Sequence, residues 1–260
     1  MHGTRLFLFL GTLLAAFASQ ADTVTLRSDY WFPYNGDPEN PRRPGYTIEI
    51  IRMALEEGGH KLDYQTLSWD ESIEKVRSGK FDCVVGAYKS DAPDLIFTEE
   101  PLGTDTTAFY SLTGEDNSWK YEGTASLANK RIGITESYSY GDELDAYFKS
   151  SEGKKHVQEV GGDEPLDKLI QLLLDKKIDL VVESPTVFRA RIRQLGMKFF
   201  FTESILPGKQ EPLYFACSPN KQSSRTYTQL ISKKIRELRK SGELGTLLSK
   251  YGLKDWVPAK

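Results

Sequence analysis

This 260-residue chain has two cysteines, three histidines and three methionines. With so few soft ligands, and with His60 and His156 each lacking a second His or Cys at ligand spacing, a metal centre is not expected. The glycine pairs Gly58-Gly59 and Gly161-Gly162 read as turns, and no phosphate-cradling glycine loop occurs. No serine sits in a Gly-x-Ser-x-Gly elbow. The carboxylate pairs Asp70/Glu71 and Glu99/Glu100 are adjacent in sequence, so their side chains diverge and form no acid/base dyad. No cofactor and no catalytic residue is expected. Acids and bases are interspersed around a net charge of −3, without the basic blocks that nucleic-acid binding needs.

Long apolar runs are absent after the first residues. At the start, Arg5 is the only charge before Asp22, and Leu6 to Phe17 is apolar apart from Gly11 and Thr12. Ser19 and Ala21 place small residues before a cut. That is the pattern of a secretory signal peptide over residues 1–21, and it is too short to span a bilayer comfortably. No cysteine follows the run, so no lipid anchor is expected. The mature chain should begin at Asp22, lie in the periplasm and be monomeric. Export permits a bond between Cys83 and Cys217, but both lie in apolar, strand-like runs, where buried free thiols fit equally.

Strands and helices alternate along the remainder. Val24 to Arg27 reads as a strand, followed by a loop from Tyr30 to Gly45 with four prolines. Ile48, Ile51 and Leu55 mark one helix face, stopped by Gly58-Gly59. Ser68 and Glu71 have capping-box spacing at the start of a second helix, ended by Gly79, and Phe81 to Val85 reads as a buried strand. Arg131–Ile134, Ile178–Val182, Phe199–Phe201 and Leu213–Cys217 are further strands. Leu166, Leu169, Ile170 and Leu173 recur at helical spacing, as do Phe188, Ile192 and Leu195. Two helices finish the chain, one on Leu230, Ile231, Ile235 and Leu238, the other on Leu244, Leu247, Leu248 and Tyr251. The pattern predicts an α/β protein with parallel sheets. The strand count suits two lobes better than one sheet, with ligand held beyond the carboxyl ends of the strands.

Four strand ends carry aromatic and hydroxyl side chains: Trp31 and Tyr34; Trp69; Tyr88 and Lys89 after Gly86; and Ser137, Tyr138 and Ser139. Singly each is compatible with packing. Their shared position points to a pocket with apolar walls and a few placed polar groups.

In order along the chain, Trp31-Phe32-Pro33-Tyr34, Gly45 to Ile50, Trp69 to Gly86, Phe97 to Pro101 and Gly242 to Gly252 resemble motifs of the family 3 extracellular solute-binding proteins. That family includes polar amino-acid receptors of ABC transporters. The resemblance spans the mature chain and implies a two-lobed periplasmic-binding-protein-like (type II) fold. Residues 22–110 with 213–260 would form lobe one and 111–212 lobe two, with hinge crossings near Phe109–Leu112 and Leu213–Cys217. A ligand-stacking aromatic maps to Trp69. The family's Thr-x-x-Arg, whose arginine grips an α-carboxylate, is replaced by Tyr88-Lys89-Ser90-Asp91-Ala92-Pro93. Lys89 offers a point charge rather than a planar fork, and Arg42 or Arg43 is a further substitute. The ammonium-binding acid falls on Glu183 or Ser184, with Glu183 keeping the negative charge.

The resemblance implies a receptor that captures a small polar, amino-acid-like or amine-bearing solute and partners an ABC permease. A module feeding a membrane sensor and a dehydratase-like enzyme on the same fold are the alternatives. An appended catalytic domain is not expected, because the chain stops at Lys260 soon after the last helix. Trp69 and Glu183 are expected to face each other from opposite lobes, with Glu183 hydrated while the cleft is open.

Overall fold

The computed structural model describes residues 22–115, 119–162, 164–208 and 210–257. The leader expected over 1–21 lies outside the described residues. The chain opens on β1 (Thr23–Ser28) and builds α1 (Tyr46–Glu57), β2 (Lys61–Thr66), α2 (Trp69–Arg77) and β3 (Cys83–Ala87). Short strands β4 (Ile96–Phe97) and β5 (Gly103–Asp105) follow. The middle comprises β6 (Ala108–Leu112), β7 (Ile132–Thr135), α3 (Asp142–Lys149), β8 (Val157–Val160), α4 (Pro165–Leu174), β9 (Leu180–Glu183), α5 (Pro185–Gln194) and β10 (Phe201–Ile205). Then β11 (Glu211–Cys217), α6 (Ser224–Ser241) and α7 (Glu243–Ser249) close the fold.

Two sheets result, and the protein is a two-lobed α/β molecule. The first runs β2-β1-β3-β11-β4, with β5 on β11; the second runs β10-β6-β9-β7-β8. The expected parallel pairing holds for β1 with β2 and β3, and for β7 with β8 and β9. It fails where the chain passes between sheets: β11 is antiparallel to β3, β4 and β5, and β6 is antiparallel to β9 and β10. The chain leaves the first sheet after Asp105 and enters the second at Ala108; it returns between Ile205 and Glu211. The segments Phe109–Leu112 and Leu213–Cys217, where crossings were expected, sit in β6 and β11, each paired on both sides.

Helix faces follow their periodicity. α1 buries Ile48, Ile51 and Leu55, and also Ile50 and Ala54, because it packs on α6 as well as on the sheet. α4 buries Leu169, Ile170 and Leu173; α6 buries Ile231, Ile235 and Leu238; α7 buries Leu244, Leu247 and Leu248. One expectation fails locally. Ser68 stands at the N-cap of α2 but its side chain makes no capping bond, and Glu71 pairs instead with Lys75 one turn on. His60 is half-buried with its ring edge-on to Tyr227. Cys83 and Cys217 face each other across the β3–β11 pair and form a disulfide joining positions 134 residues apart.

Candidate ligand-binding cleft

The cleft lies where strand ends of both sheets converge, as α/β architectures place ligands. β1 delivers Asp29 and, one residue beyond Tyr30, Trp31. This segment folds back on itself: Trp31 and Asn35 form an isolated antiparallel bridge, and the chain turns into α1 through Gly45. Gly45 has φ 102°, and a Cβ there would lie 2.3 Å from the Tyr34 carbonyl oxygen, so only glycine fits. Trp31 stacks on Tyr34 with ring centroids 4.5 Å apart. Tyr34 is thereby pulled inward. It is 2% exposed, and its hydroxyl donates to the Thr104 carbonyl and to Asp105 Oδ1, each at 3.0 Å. Trp31 turns its indole Nε1 across the cleft and donates to Glu183 Oε1 at 3.1 Å.

The rest of the first wall comes from Trp69 at the start of α2, from Gly86 in β3, and from Tyr88 and Asp91 just beyond it. Gly86 has φ 89°, a conformation that favours glycine, and the Trp31 ring lies beside it. Tyr88 donates through its hydroxyl to Asp105 Oδ2 at 3.3 Å and through its backbone N–H to Asp91 Oδ2 at 2.9 Å.

The second wall comes from the β7–α3 loop and from the end of β9. Tyr138 donates its hydroxyl to Asp29, and Ser139 donates to Asp145 Oδ2 at 2.8 Å. Tyr140 accepts the Thr135 N–H at 2.8 Å. Glu183 ends β9, and its Oε1 also accepts the Ser184 N–H at 2.7 Å. Ser184 caps α5 by accepting from the Val187 N–H at 3.3 Å, and donates its hydroxyl to Asp105 Oδ1 at 2.6 Å. Three hydrogen bonds thus tie the walls together: Trp31 to Glu183, Tyr138 to Asp29 and Ser184 to Asp105.

The enclosed space measures about 470 Å³, including what opens to solvent. Of the expected residues, Trp31, Trp69, Gly86, Tyr88, Tyr138, Ser139 and Glu183 line it together. Trp69 and Glu183 come from opposite walls, as expected. Three residues do not line it. Tyr34 is held beneath Trp31 by the bonds above. Lys89 is exposed, its ammonium 4.6 Å from the Tyr214 ring centroid. Ser137 is exposed and lines the groove outside. The arginine substitutes are also elsewhere: Arg43 lies over Phe32 and Tyr251, and Arg42 is exposed.

The sequence reading missed Asp29, Asp105 and Thr107, and gave Asp91 no role. Asp29 was detectable, since it directly follows a strand. Asp105 was not, because β5 is three residues long and has no period to read.

Burial sets the electrostatics. Glu183 is 2% exposed, because the walls meet over it in this closed arrangement, and its pKa is pushed up to about 8. Desolvation outweighs the donors from Ser184 and Trp31, and the nearby Asp105 and Asp29 add to the rise. Burial likewise pushes Asp105 up to about 6 against the donors Ser184, Tyr34 and Tyr88. Asp91 is pushed up to about 6 and Asp29 is raised, both mainly by burial. Such a site attracts positive charge, because a cation restores the ionised form of every one of these acids. Among the described residues, no group of three or more His, Cys, Asp or Glu is arranged to hold a metal ion.

No protein-family model matches the chain. It is 20% identical over 221 residues to the L-cystine-binding protein TcyA of Bacillus subtilis (strain 168), covering 85% of this chain and 76% of that protein. Among solved structures, one from work on glutathione import in Gram-positive bacteria via GshT and the cystine ABC importer TcyBC of Streptococcus mutans superposes with a TM-score of 0.75. It is 19% identical, over 92% of this chain and 98% of the other. An ABC uptake transporter substrate-binding protein from Streptococcus pneumoniae with bound histidine superposes with a TM-score of 0.74 at 13% identity, over 89% and 93% of the two chains. These relatives agree with the resemblance to the family 3 extracellular solute-binding proteins, and the fold of this chain is the two-lobed binding-protein fold they share.

Proposed function

We propose that this protein is an exported receptor that captures a small polar, amine-bearing solute between its lobes and presents it to the permease of an ABC importer. The observation that carries this reading is the convergence of strand ends from both sheets on one cavity, with Glu183 from one wall opposite Trp69 from the other. The two crossings at 106–107 and 206–210 would be the hinge about which the lobes open and close. The relatives include a cystine-binding protein and a substrate-binding protein of an ABC uptake transporter, which favours capture over catalysis. Export follows from the leader pattern and accords with the Cys83–Cys217 bond, since disulfides persist in oxidising compartments.

In this reading Trp31, Trp69, Tyr88 and Tyr138 supply the aromatic walls, Glu183 the counter-charge, and Gly86 and Ser139 the polar edge. The test is a thermal-shift screen of amino acids, amines and organic acids on the chain from Asp22. A receptor gains stability as RT ln(1 + [L]/Kd), about 2.7 kcal/mol at a hundredfold excess over Kd, and returns the ligand unchanged. Small-angle scattering on a hit distinguishes a clamp from a rigid pocket. Turnover of the hit, or no stabilisation by any class, would remove the receptor reading. Replacing Trp69 with Ala should weaken a cationic hit about 3- to 30-fold through lost stacking.

A further inference from the structure

Among the described residues, four acids and no base line the cleft: Asp29, Asp91, Asp105 and Glu183, with no Lys, Arg or His. The basic groups nearby are engaged elsewhere. Lys89 lies over Tyr214, and Arg191, in the adjoining cavity, is gripped by Asp167 through both Nε and a terminal nitrogen. Glu183 itself is incompletely satisfied. Both of its hydrogen bonds land on Oε1, and among the described residues no donor reaches Oε2, on the side of the cavity that Glu183 lines. A cation placed there would favour the ionised form of the carboxyl group. A ligand carboxylate would have to lie among four acids with no counter-charge, which disfavours zwitterions as strongly as it favours amines.

The acids also form two stations. Glu183 belongs to one end, since it also lines the adjoining cavity beside Tyr30, Asp167 and Arg191. Asp91 belongs to the outer end, shared with the groove outside. Asp91 Oδ2 takes the Tyr88 N–H, and Oδ1 receives no protein donor. The outer groove is acidic as well: Asp70, Glu74, Asp142, Asp145 and Glu159 line it against Arg77 and Lys149, and Arg77 is held by Asp94 at 2.7 Å. Such a mouth concentrates cations at its entrance.

We propose, building on the receptor reading, that the ligand is a small organic dication without a carboxylate, of the alkyl-diamine type, with one ammonium on Glu183 and the other on Asp91. The aromatic side chains between the stations cover the methylene chain and face the ammonium groups.

The test is calorimetry on the disulfide-intact chain from Asp22 with three probes: 1,4-diaminobutane, butylamine and L-ornithine. Ornithine is that diamine carrying one carboxylate, and butylamine is the diamine without its second charge. The diamine should bind at least about tenfold more tightly than either, a gap of about 1.4 kcal/mol. Asp91→Asn should narrow the gap between the diamine and butylamine, the diamine losing more affinity than the monoamine. If ornithine binds as tightly as the diamine or more so, the dication assignment is overturned and the receptor reading stands with an amino-acid ligand. Equal binding of butylamine and diamine overturns the two-station arrangement. If none of the three binds while another class stabilises the protein, the dication assignment falls alone; if no class binds, both fall.

Discussion

The two walls of the cleft are built differently. The first is backed by a continuous aromatic stack: Trp31 lies on Tyr34, Tyr34 packs against Tyr46, and Tyr46 against Tyr251 and Trp256. Beneath it, the disulfide joins β3 to β11. The second wall hangs on a loop, 136–141, and on the junction of β9 with α5. Its acid, Glu183, gets one of its two donors from its own neighbour Ser184 and the other from across the cleft. The first wall is therefore preorganised whether the cleft is open or closed, whereas the second is completed by contact with the first. A ligand that meets the aromatic wall first and then draws Glu183 onto itself follows from that asymmetry, because rigid surface costs less entropy to bind.

The largest effect should come from removing the tie in the first wall. Replacing Cys83 and Cys217 with Ser together should destabilise the protein by about 2–5 kcal/mol, since the bond closes a long loop in the unfolded chain. Denaturant melts with and without reductant measure this. A loss confined to ligand affinity, with the melt unchanged, would contradict the assignment of the bond to the scaffold.

The opposite pattern is expected from the second wall. Glu183→Gln should weaken a cationic ligand by about 10- to 100-fold, the scale of one charged hydrogen bond at about 1.5–3 kcal/mol. The unliganded melt should change little at neutral pH, because the native carboxyl already favours its neutral form there. Calorimetry paired with a thermal melt separates the two walls. An unchanged affinity would show that Glu183 is not the counter-charge.

Acidity sharpens the contrast further. Glu183, Asp105 and Asp91 all have folded pKa values raised above the ordinary carboxyl range, the first to about 8 and the others to about 6. Asp29 is raised too. Raised acids bind protons more tightly in the folded state, so their stabilising contribution is full below the ordinary carboxyl pKa and is lost as pH climbs toward about 8. The acids shifted the other way, Asp82, Asp94, Glu152 and Asp179, act below that window. The unliganded thermal midpoint should therefore fall from about pH 5 to about pH 8.5, while affinity for a cation rises over the same interval as the acids ionise. A midpoint that rises across this range would mean that the cleft acids are not buried as described.

The legible parts of the molecule were those with a period or a stop. Leu169, Ile170 and Leu173 announce α4, and Leu244, Leu247 and Leu248 announce α7, because a 3.6-residue repeat needs only the chain itself to be visible. α3 was missed: its two buried residues, Leu144 and Phe148, make a single i, i+4 pair among acids. β10 was placed too early, on Phe199 and Phe200, which are exposed, since apolar character alone does not say which side of a turn a residue occupies. For the cleft, strand-end position picked out six lining residues, and the family resemblance added Glu183. Strand-end position also admitted Ser137, and Tyr34 and Lys89, whose direction depends on partners distant in sequence, Asp105 and Tyr214. Asp105 acts through burial, which no single segment reveals.

The smallest effect should come from the contact that joins the walls without holding the ligand's charge on Glu183. Tyr138 donates its hydroxyl to Asp29 across the cleft, and the ring is itself part of the wall. Tyr138→Phe keeps the ring and deletes the bond. The bond exists only while the lobes touch, so its loss bears on the closed form and leaves the open form and both hydrophobic cores alone. A neutral hydrogen bond of this kind contributes about 0.5–1.5 kcal/mol, a shift of roughly 2- to 12-fold in the closed population. Without ligand, the variant should show a larger radius of gyration than the wild type by small-angle scattering. With a saturating ligand the two profiles should coincide, because ligand contacts to both walls outweigh one bond. If the unliganded profiles also coincide, the two walls are not in an equilibrium that this hydrogen bond biases, and the second wall is as fixed as the first.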